Sequence, residues 1–234
     1  MEKPCADVID NLHRIEDTLC TACAQAGRRR DEGRLRAVTK TVEPARIQAA
    51  LDAGVDLIGE NRVQEWLEKR PALRLEGVQA HLIGHLQTNK VNRVVGTVEM
   101  IQSVDSFRLA QAIDKASQRL GRVTDVLVEV NVGNEPSKTG VASSQAEELV
   151  RQIAPLAGLR VCGLMTIPPI AASETEKRTF FSQMRKLFID IRGKTIDNVS
   201  MDVLSMGMSS DFREAVLEGA TLVRIGSALF GRRS

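Results

Sequence analysis

Tyrosine is missing from this 234-residue chain, tryptophan occurs once, and aromatic residues make up 3% of it. Any reaction that needs a phenolic base therefore lacks the residue for it. Cysteine is scarce as well. The four cysteines stand at positions 5, 20, 23 and 162, too few and too scattered for a disulfide framework in a chain this long, which points to a reducing, cytosolic compartment. The three histidines, His13, His81 and His85, show no metal-ligand spacing, so no metal is expected. No apolar run approaches the roughly 18 to 20 residues that span a bilayer. Residues 1–7 also lack the apolar core of a signal peptide, so no membrane association is expected. Nor does one sign of charge dominate. With 32 basic and 30 acidic residues and a net charge of +2, nothing calls for nucleic acid or an anionic surface as partner. Arg28-Arg29-Arg30 and Arg232-Arg233 read as solvated clusters at a helix end and a chain end. The Cys20-x-x-Cys23 pair falls in a helical stretch with no strand before it and no second pair after it, and reads as two small apolar residues on a helix.

What the chain does contain is alternation. It is 43% hydrophobic, and short apolar runs alternate with helical patterns throughout. Strands are expected over residues 35–40, 55–59, 78–83, 100–104, 125–132, 161–167, 203–206 and 222–225. Helices are expected over 42–53, 61–69, a short stretch after 90, 106–120, 144–157, 173–192 and 211–218. Glu43-Pro44 opens the first of these helices and Gly54 closes it, while Asp105 or Ser106 caps the fourth. Most strand runs are apolar on both faces, as parallel strands covered on both sides should be. Eight β/α units in a chain of this length predict an α/β fold, a (β/α)8 TIM barrel forming a single domain over residues 1–234. A doubly wound sheet would more often carry a glycine-rich turn after its first strand, and Val38-Thr39-Lys40-Thr41 has no glycine. An extra N-terminal helix over about residues 5–27 is expected to cap the bottom of the barrel.

In such a barrel the functional face is the C-terminal end of the strands. Polar and glycine residues gather there, while the strand interiors are expected to stay apolar. Lys40 ends strand one after an apolar run. A lysine held in a cavity favours the neutral amine that attacks a carbonyl, which is how lysines make Schiff bases. Val223-Arg224-Ile225-Gly226-Ser227-Ala228-Leu229-Phe230-Gly231 reads as a strand, a glycine turn and a short helix. Bare N–H groups at that helix start would form an anion site that Gly226 lets a phosphate approach. Ser205 and Ser209, on the neighbouring loop, can donate hydroxyls.

Several of these segments carry a resemblance. Ala37-Val38-Thr39-Lys40-Thr41, Gly59-Glu60-Asn61-Arg62-Val63-Gln64-Glu65, Ile83-Gly84-His85-Leu86-Gln87-Thr88-Asn89-Lys90 and Ser103-Val104-Asp105 fall in order along the chain. They are followed by Glu135-Pro136-Ser137-Lys138-Thr139-Gly140, Gly163-Leu164-Met165-Thr166-Ile167-Pro168, Ser205-Met206-Gly207-Met208-Ser209 and the run from Val223 to Gly231. Together the sequence resembles the pyridoxal phosphate homeostasis proteins (the YggS/PROSC family). The resemblance implies a barrel like the N-terminal domain of alanine racemase, with pyridoxal 5′-phosphate (PLP) as cofactor. It implies that Lys40 holds PLP as a Schiff base and that Arg224 faces the pyridine nitrogen. Gly226, Ser227 and Ser205 would hold the phosphate, and Asn61 would line the pocket. Ser210 departs from the pattern, since the family usually carries an acidic residue there.

The resemblance further implies a role in intracellular vitamin B6 homeostasis without established catalysis. Racemisation needs a proton acceptor on each face of the substrate, and the racemase's second base is a tyrosine, which this chain lacks. His85 or Lys138 could substitute, although nothing in the sequence places them opposite Lys40. An arginine at the ring nitrogen also leaves that nitrogen unprotonated and weakens PLP as an electron sink. The expectation is a cytoplasmic, monomeric PLP carrier that buffers the free cofactor and hands it to apo-enzymes. The alternatives are a small PLP amino-acid racemase and a phosphate-ester enzyme that makes Schiff bases with sugar phosphates.

Overall fold

In the computed structural model, residues 5–135, 138–169 and 171–231 are described. The expectations that rest on Met1 to Pro4, on Pro136 and Ser137 and on Arg232-Arg233 lie outside them. Among the described residues nine strands form in chain order: β1 (Arg34–Val38), β2 (Leu57–Glu60), β3 (Gln79–Leu82), β4 (Met100–Val104), β5 (Thr124–Asn131), β6 (Val141–Ala142), β7 (Leu159–Thr166), β8 (Val199–Met208) and β9 (Leu222–Ile225). The helices are α1 (Ala6–Gln25), α2 (Pro44–Asp52), α3 (Val63–Lys69), α4 (Val91–Val94), α5 (Phe107–Arg119), α6 (Ala146–Ile153), α7 (Glu174–Arg192), α8 (Phe212–Leu217) and α9 (Ser227–Phe230). The strands pair in parallel in the order β4-β3-β2-β1-β9-β8-β7-β5, and β4 pairs with β5 to close the ring. Eight strands thus form the expected closed barrel. Two-residue β6 is an addition, hung on the end of β5.

Local chemistry explains most element ends. Pro44 opens α2, where a missing N–H costs nothing. Ser106 caps α5 by accepting from the Leu109 N–H. Ser173 and Glu176 form a capping box at the start of α7, a pattern the sequence reading passed over. At Gly163 the sheet closes too tightly for a side chain. Its φ is +151°, and a Cβ there would sit 1.8 Å from the Val203 carbonyl oxygen. The strand register shifts beside it on both neighbours, so the glycine marks a bulge in the wall.

Three expectations are corrected. First, α1 does not cap the bottom of the barrel. It packs on the flank against α2, α8 and α9, burying Val8, Leu12, Ile15, Leu19, Ala22 and Cys23 along one face. The reason is that α9, at four residues, is too short to cover the seam between β9 and β1, and α1 takes the place of the eighth outer helix. The mouth at the strand N-termini is instead a cavity of about 540 Å³ lined by Arg34, Leu57, Gln79, Met100, Asp125 and Leu222 among others. Second, the barrel interior is not uniformly apolar. Arg36, His81, Gln102, Ser205 and Arg224 are all buried inside it, beside an apolar cluster of Met100, Leu127, Cys162 and Met165. Third, β8 runs to Met208 rather than stopping at Met206, which lowers Ser205 into the wall. Among the described residues all four cysteines are free. Among the same described residues no His, Cys, Asp and Glu cluster could hold a metal, and no helix is long and apolar enough to cross a membrane.

Candidate functional site

A cavity of about 300 Å³ opens at the C-terminal end of the strands, lined by Val38, Lys40, Asn61, Ile83, Ile167, Met208, Ser209, Ser210, Arg224, Gly226 and Ser227. That volume sits at the lower end of small-ligand pockets. Lys40 reaches it from the turn just past β1 rather than from the strand itself. Half-buried there, it stands among Val38, Ile83 and Ile167.

Asn61 follows β2. Its side-chain Oδ1 is buried and has no hydrogen-bond partner among the described residues. A buried acceptor left unmade costs about 1 to 3 kcal/mol, so the geometry favours a ligand donor at this point. Gly84, after β3, lies directly against Asn61, and a Cβ there would sit 2.2 Å from the Asn61 carbonyl oxygen. This contact explains the glycine and fixes the backbone that presents Asn61.

Arg224, 4% exposed, crosses from β9 to the neighbouring strands. Its Nη1 donates to Ser205 Oγ at 2.7 Å and its Nη2 to the Thr166 carbonyl at 2.7 Å. With both terminal nitrogens held, the guanidinium plane is fixed against the cavity. Burial pulls its pKa down to about 10, with Glu129 and Asp211 opposing, so it stays a cation at neutral pH.

Beyond Arg224 the chain turns at Gly226 into α9. The N–H groups of Gly226 and Ala228 both point at Ser209 Oγ, at 3.2 Å each. A cradle of backbone donors around one oxygen is the geometry that receives a phosphate oxygen. Ser209 already supplies such an oxygen, and its own hydrogen remains to be donated outward.

Ser205 does not belong to this lining. It is fully buried, accepts from Arg224 and donates to Gln102 Oε1 at 2.9 Å. Gln102 in turn donates to His81 Nδ1 at 3.2 Å, and Arg36 Nη2 donates to the same nitrogen. Burial pushes His81 well below its ordinary pKa, which suits a neutral ring accepting at Nδ1. Ser205 therefore supports Arg224 from beneath. Ser209, four residues further along and just past the end of β8, is the hydroxyl at the cradle.

The other sequence-predicted residues sort by depth. Lys40, Asn61, Arg224, Gly226 and Ser227 converge on the cavity. His85 stands outside the lining, half-exposed, with Nδ1 3.6 Å from Asp105, and Lys138 is exposed. Among the described residues the lining holds two titratable side chains, Lys40 and Arg224. Sequence reasoning missed Glu129, buried on β5, where burial raises its carboxyl pKa. Its Oε1 accepts from Thr139 Oγ1 at 2.7 Å, while its Oε2 has no partner among the described residues. A carboxylate in the strongest apolar run of the chain was the available signal.

The family described as "Alanine racemase, N-terminal domain" matches residues 11–234. The chain is 42% identical over 224 residues to the pyridoxal phosphate homeostasis protein of Aquifex aeolicus (strain VF5), covering 96% of this chain and 97% of that one. The solved structure of PipY from Synechococcus elongatus PCC7942 with PLP bound superposes with a TM-score of 0.85 at 32% identity, covering 96% of this chain and 100% of that one. An alanine racemase of Clostridium difficile 630 superposes with a TM-score of 0.75 at 14% identity, covering 96% of this chain and 57% of that one, a likeness of fold.

Proposed function

The chain belongs to the pyridoxal phosphate homeostasis protein family, and from that premise we propose that it binds PLP in the cavity at the strand C-termini and carries it on Lys40. The single observation behind this reading is convergence: an amine, a fixed guanidinium and a backbone phosphate cradle line one small cavity. Bound PLP would supply an aldehyde and an electron-withdrawing ring. The residues fit that group. Gly226, Ser227 and Ser209 take the phosphate, Arg224 stands at the ring nitrogen, and Asn61 Oδ1 waits for a donor. Lys40 Nζ joins the aldehyde carbon as a Schiff base, with the carbonyl oxygen and two amine hydrogens leaving together as water. Arg224, as a cation, opposes protonation of the ring nitrogen and so restrains further chemistry.

The biological reading is a cytoplasmic, monomeric carrier, one domain over residues 1–234, that buffers free PLP and supplies apo-enzymes without turning over a substrate of its own. The lining supports this: Arg224 is already a cation, so among the described residues Lys40 is the one proton acceptor the lining offers, and racemisation requires an acceptor on each face.

The test is to compare the wild type with Lys40→Ala by visible spectrum and intact mass, before and after borohydride. The expected result is a mass gain of one reduced PLP in the wild type alone. Equal labelling of the two proteins would refute the Lys40 assignment. Turnover of an L-amino acid by the wild type, abolished in Lys40→Ala, would replace the carrier with a racemase.

A further inference from the structure

The turn that carries Lys40 is held from both sides by a small ionic network. Lys69, on α3, donates from Nζ to the Thr39 carbonyl at 2.7 Å. The same ammonium pairs with Glu65 Oε1 at 2.5 Å and with Glu60 Oε1 at 3.3 Å. Glu65 Oε1 in turn accepts from the backbone N–H of Thr41. Glu60 Oε1 accepts from Thr39 Oγ1 at 2.6 Å. All three charged side chains are largely buried under the turn.

The placement is specific. The Thr39 carbonyl belongs to the peptide unit before Lys40, and the Thr41 N–H belongs to the unit after it. Lys69 holds one and Glu65 the other, and the two holders are paired with each other. Two fixed peptide planes fix the direction of the Cα–Cβ bond between them. The backbone carries a cost for this shape. Thr41 has a φ of +59°, a left-handed conformation that a β-branched residue adopts only where its surroundings impose it. The Thr41 N–H bond to Glu65 is one such constraint.

We propose that Glu65 and Lys69, with Glu60 behind them, are positioning residues: they aim Lys40 into the cavity and so set the rate at which it captures PLP. This rests on the reading that Lys40 forms the Schiff base. A lysine side chain has four rotatable bonds, and fixing its root removes the part of the search that the backbone would otherwise add. None of the three lines the cavity, so they act on it indirectly, through the turn that carries Lys40.

Two ligands separate the roles. PLP requires both the cradle and the amine. 4′-Deoxypyridoxine 5′-phosphate keeps the ring and phosphate but has no carbonyl, so it reads the cradle without Lys40. Glu65→Ala removes the Thr41 anchor and is expected to slow Schiff-base formation, followed by stopped-flow absorbance, by about tenfold or more. Its affinity for the deoxy analogue by calorimetry should match that of the wild type. Glu65→Gln keeps an acceptor oxygen for the Thr41 N–H and should restore most of the rate. Lys69→Met, which removes the hold on Thr39, should slow capture in the same direction. Capture by both Glu65→Ala and Lys69→Met at the wild-type rate would overturn the proposal. So would a parallel loss of analogue binding, which would mean that the network merely holds up the pocket. If Lys40→Ala still captures PLP, the underlying Lys40 assignment fails instead, and that control is read separately from the Glu65 series.

Discussion

Replacing Ser205 with alanine is expected to make the protein unfold earlier while leaving the proposed phosphate binding intact. The hydroxyl is fully buried, accepts from Arg224 Nη1 at 2.7 Å and donates to Gln102 Oε1 at 2.9 Å. Alanine leaves a donor on a buried cation and an acceptor on a buried amide, each without a partner. Such orphans cost about 1 to 3 kcal/mol apiece, the charged one more, so about 3 to 4 kcal/mol in total. For a chain of this size each kcal/mol lowers the midpoint by roughly 2 to 4 °C, giving a fall of roughly 10 °C. Thermal unfolding followed by circular dichroism measures this, and competition between inorganic phosphate and PLP measures the cradle. Ser209→Ala should do the opposite. Its oxygen lies at the partly open start of α9, so the midpoint should barely move. The lost hydrogen bond to a charged phosphate, at about 1.5 to 3 kcal/mol, should weaken phosphate competition by roughly ten- to a hundredfold. If Ser205→Ala weakened phosphate competition at an unchanged midpoint, the buried placement of Ser205 would be wrong.

Two further outcomes follow from the packing. Gly163→Ala places a Cβ 1.8 Å from the Val203 carbonyl in backbone that disfavours any side chain. It should cost more than about 4 kcal/mol, visible as a collapse of the urea midpoint, and an unchanged midpoint would contradict the register of β7 on β8. Glu129→Gln tests the sign of a buried carboxyl. Burial raises the Glu129 pKa above its ordinary 4.5, so the folded state holds its proton more tightly than the unfolded chain does. Stability contributed by that proton is complete below pH 4.5 and is lost as pH rises through the raised value. The glutamine variant should therefore gain stability relative to wild type at neutral pH and lose that advantage in acid, and a parallel pH profile for the two proteins would refute the assignment.

Much of the architecture was legible because it rests on short-range rules. Apolar runs of strand length, Pro44 at a helix start and Ser106 as a cap all depend on neighbours a few residues away, and the structure places β4 and β9 at the bounds read from sequence. The failures share a different cause. Whether Ser205 lies at the rim or below it depends on how far β8 runs, and β8 passes Met206 because its pairing with β9 shifts between Ser205 and Met208. A shift of that kind is set by the partner strand, so no local pattern announces it. The position of α1 failed for a related reason. Its apolar face was visible, but what that face would meet depended on α9 being only four residues long. Arg36 was read as part of an ordinary strand run. Its burial becomes intelligible only beside Gly59 on the next strand, where a Cβ would sit 2.5 Å from the Arg36 Cδ.

The polar interior and the cavity lining bear on why this site would suit the proposed carrier. A carrier must bind its cargo reversibly and otherwise leave it unchanged. Reversible capture needs one amine, held where the aldehyde arrives, and on the proposed reading the pinned turn beneath Lys40 would meet that need. Leaving the cargo unchanged needs the absence of groups that move protons at a bound amino acid. Here the wall consists of Val38, Ile83, Ile167 and Met208, with Asn61 and serine hydroxyls between them, none of which takes a proton near neutral pH. Arg224 could have been a source of reactivity, but Ser205 and the Thr166 carbonyl hold it in a fixed plane as a cation. An arginine so held keeps its proton, and at the PLP ring nitrogen, where it is proposed to stand, it would deny one to that nitrogen and leave a neighbouring carbanion little stabilised. The buried chain from Arg224 through Ser205 and Gln102 to His81 costs the barrel an apolar core layer and holds Arg224 facing the cavity, as the proposed role would require of it.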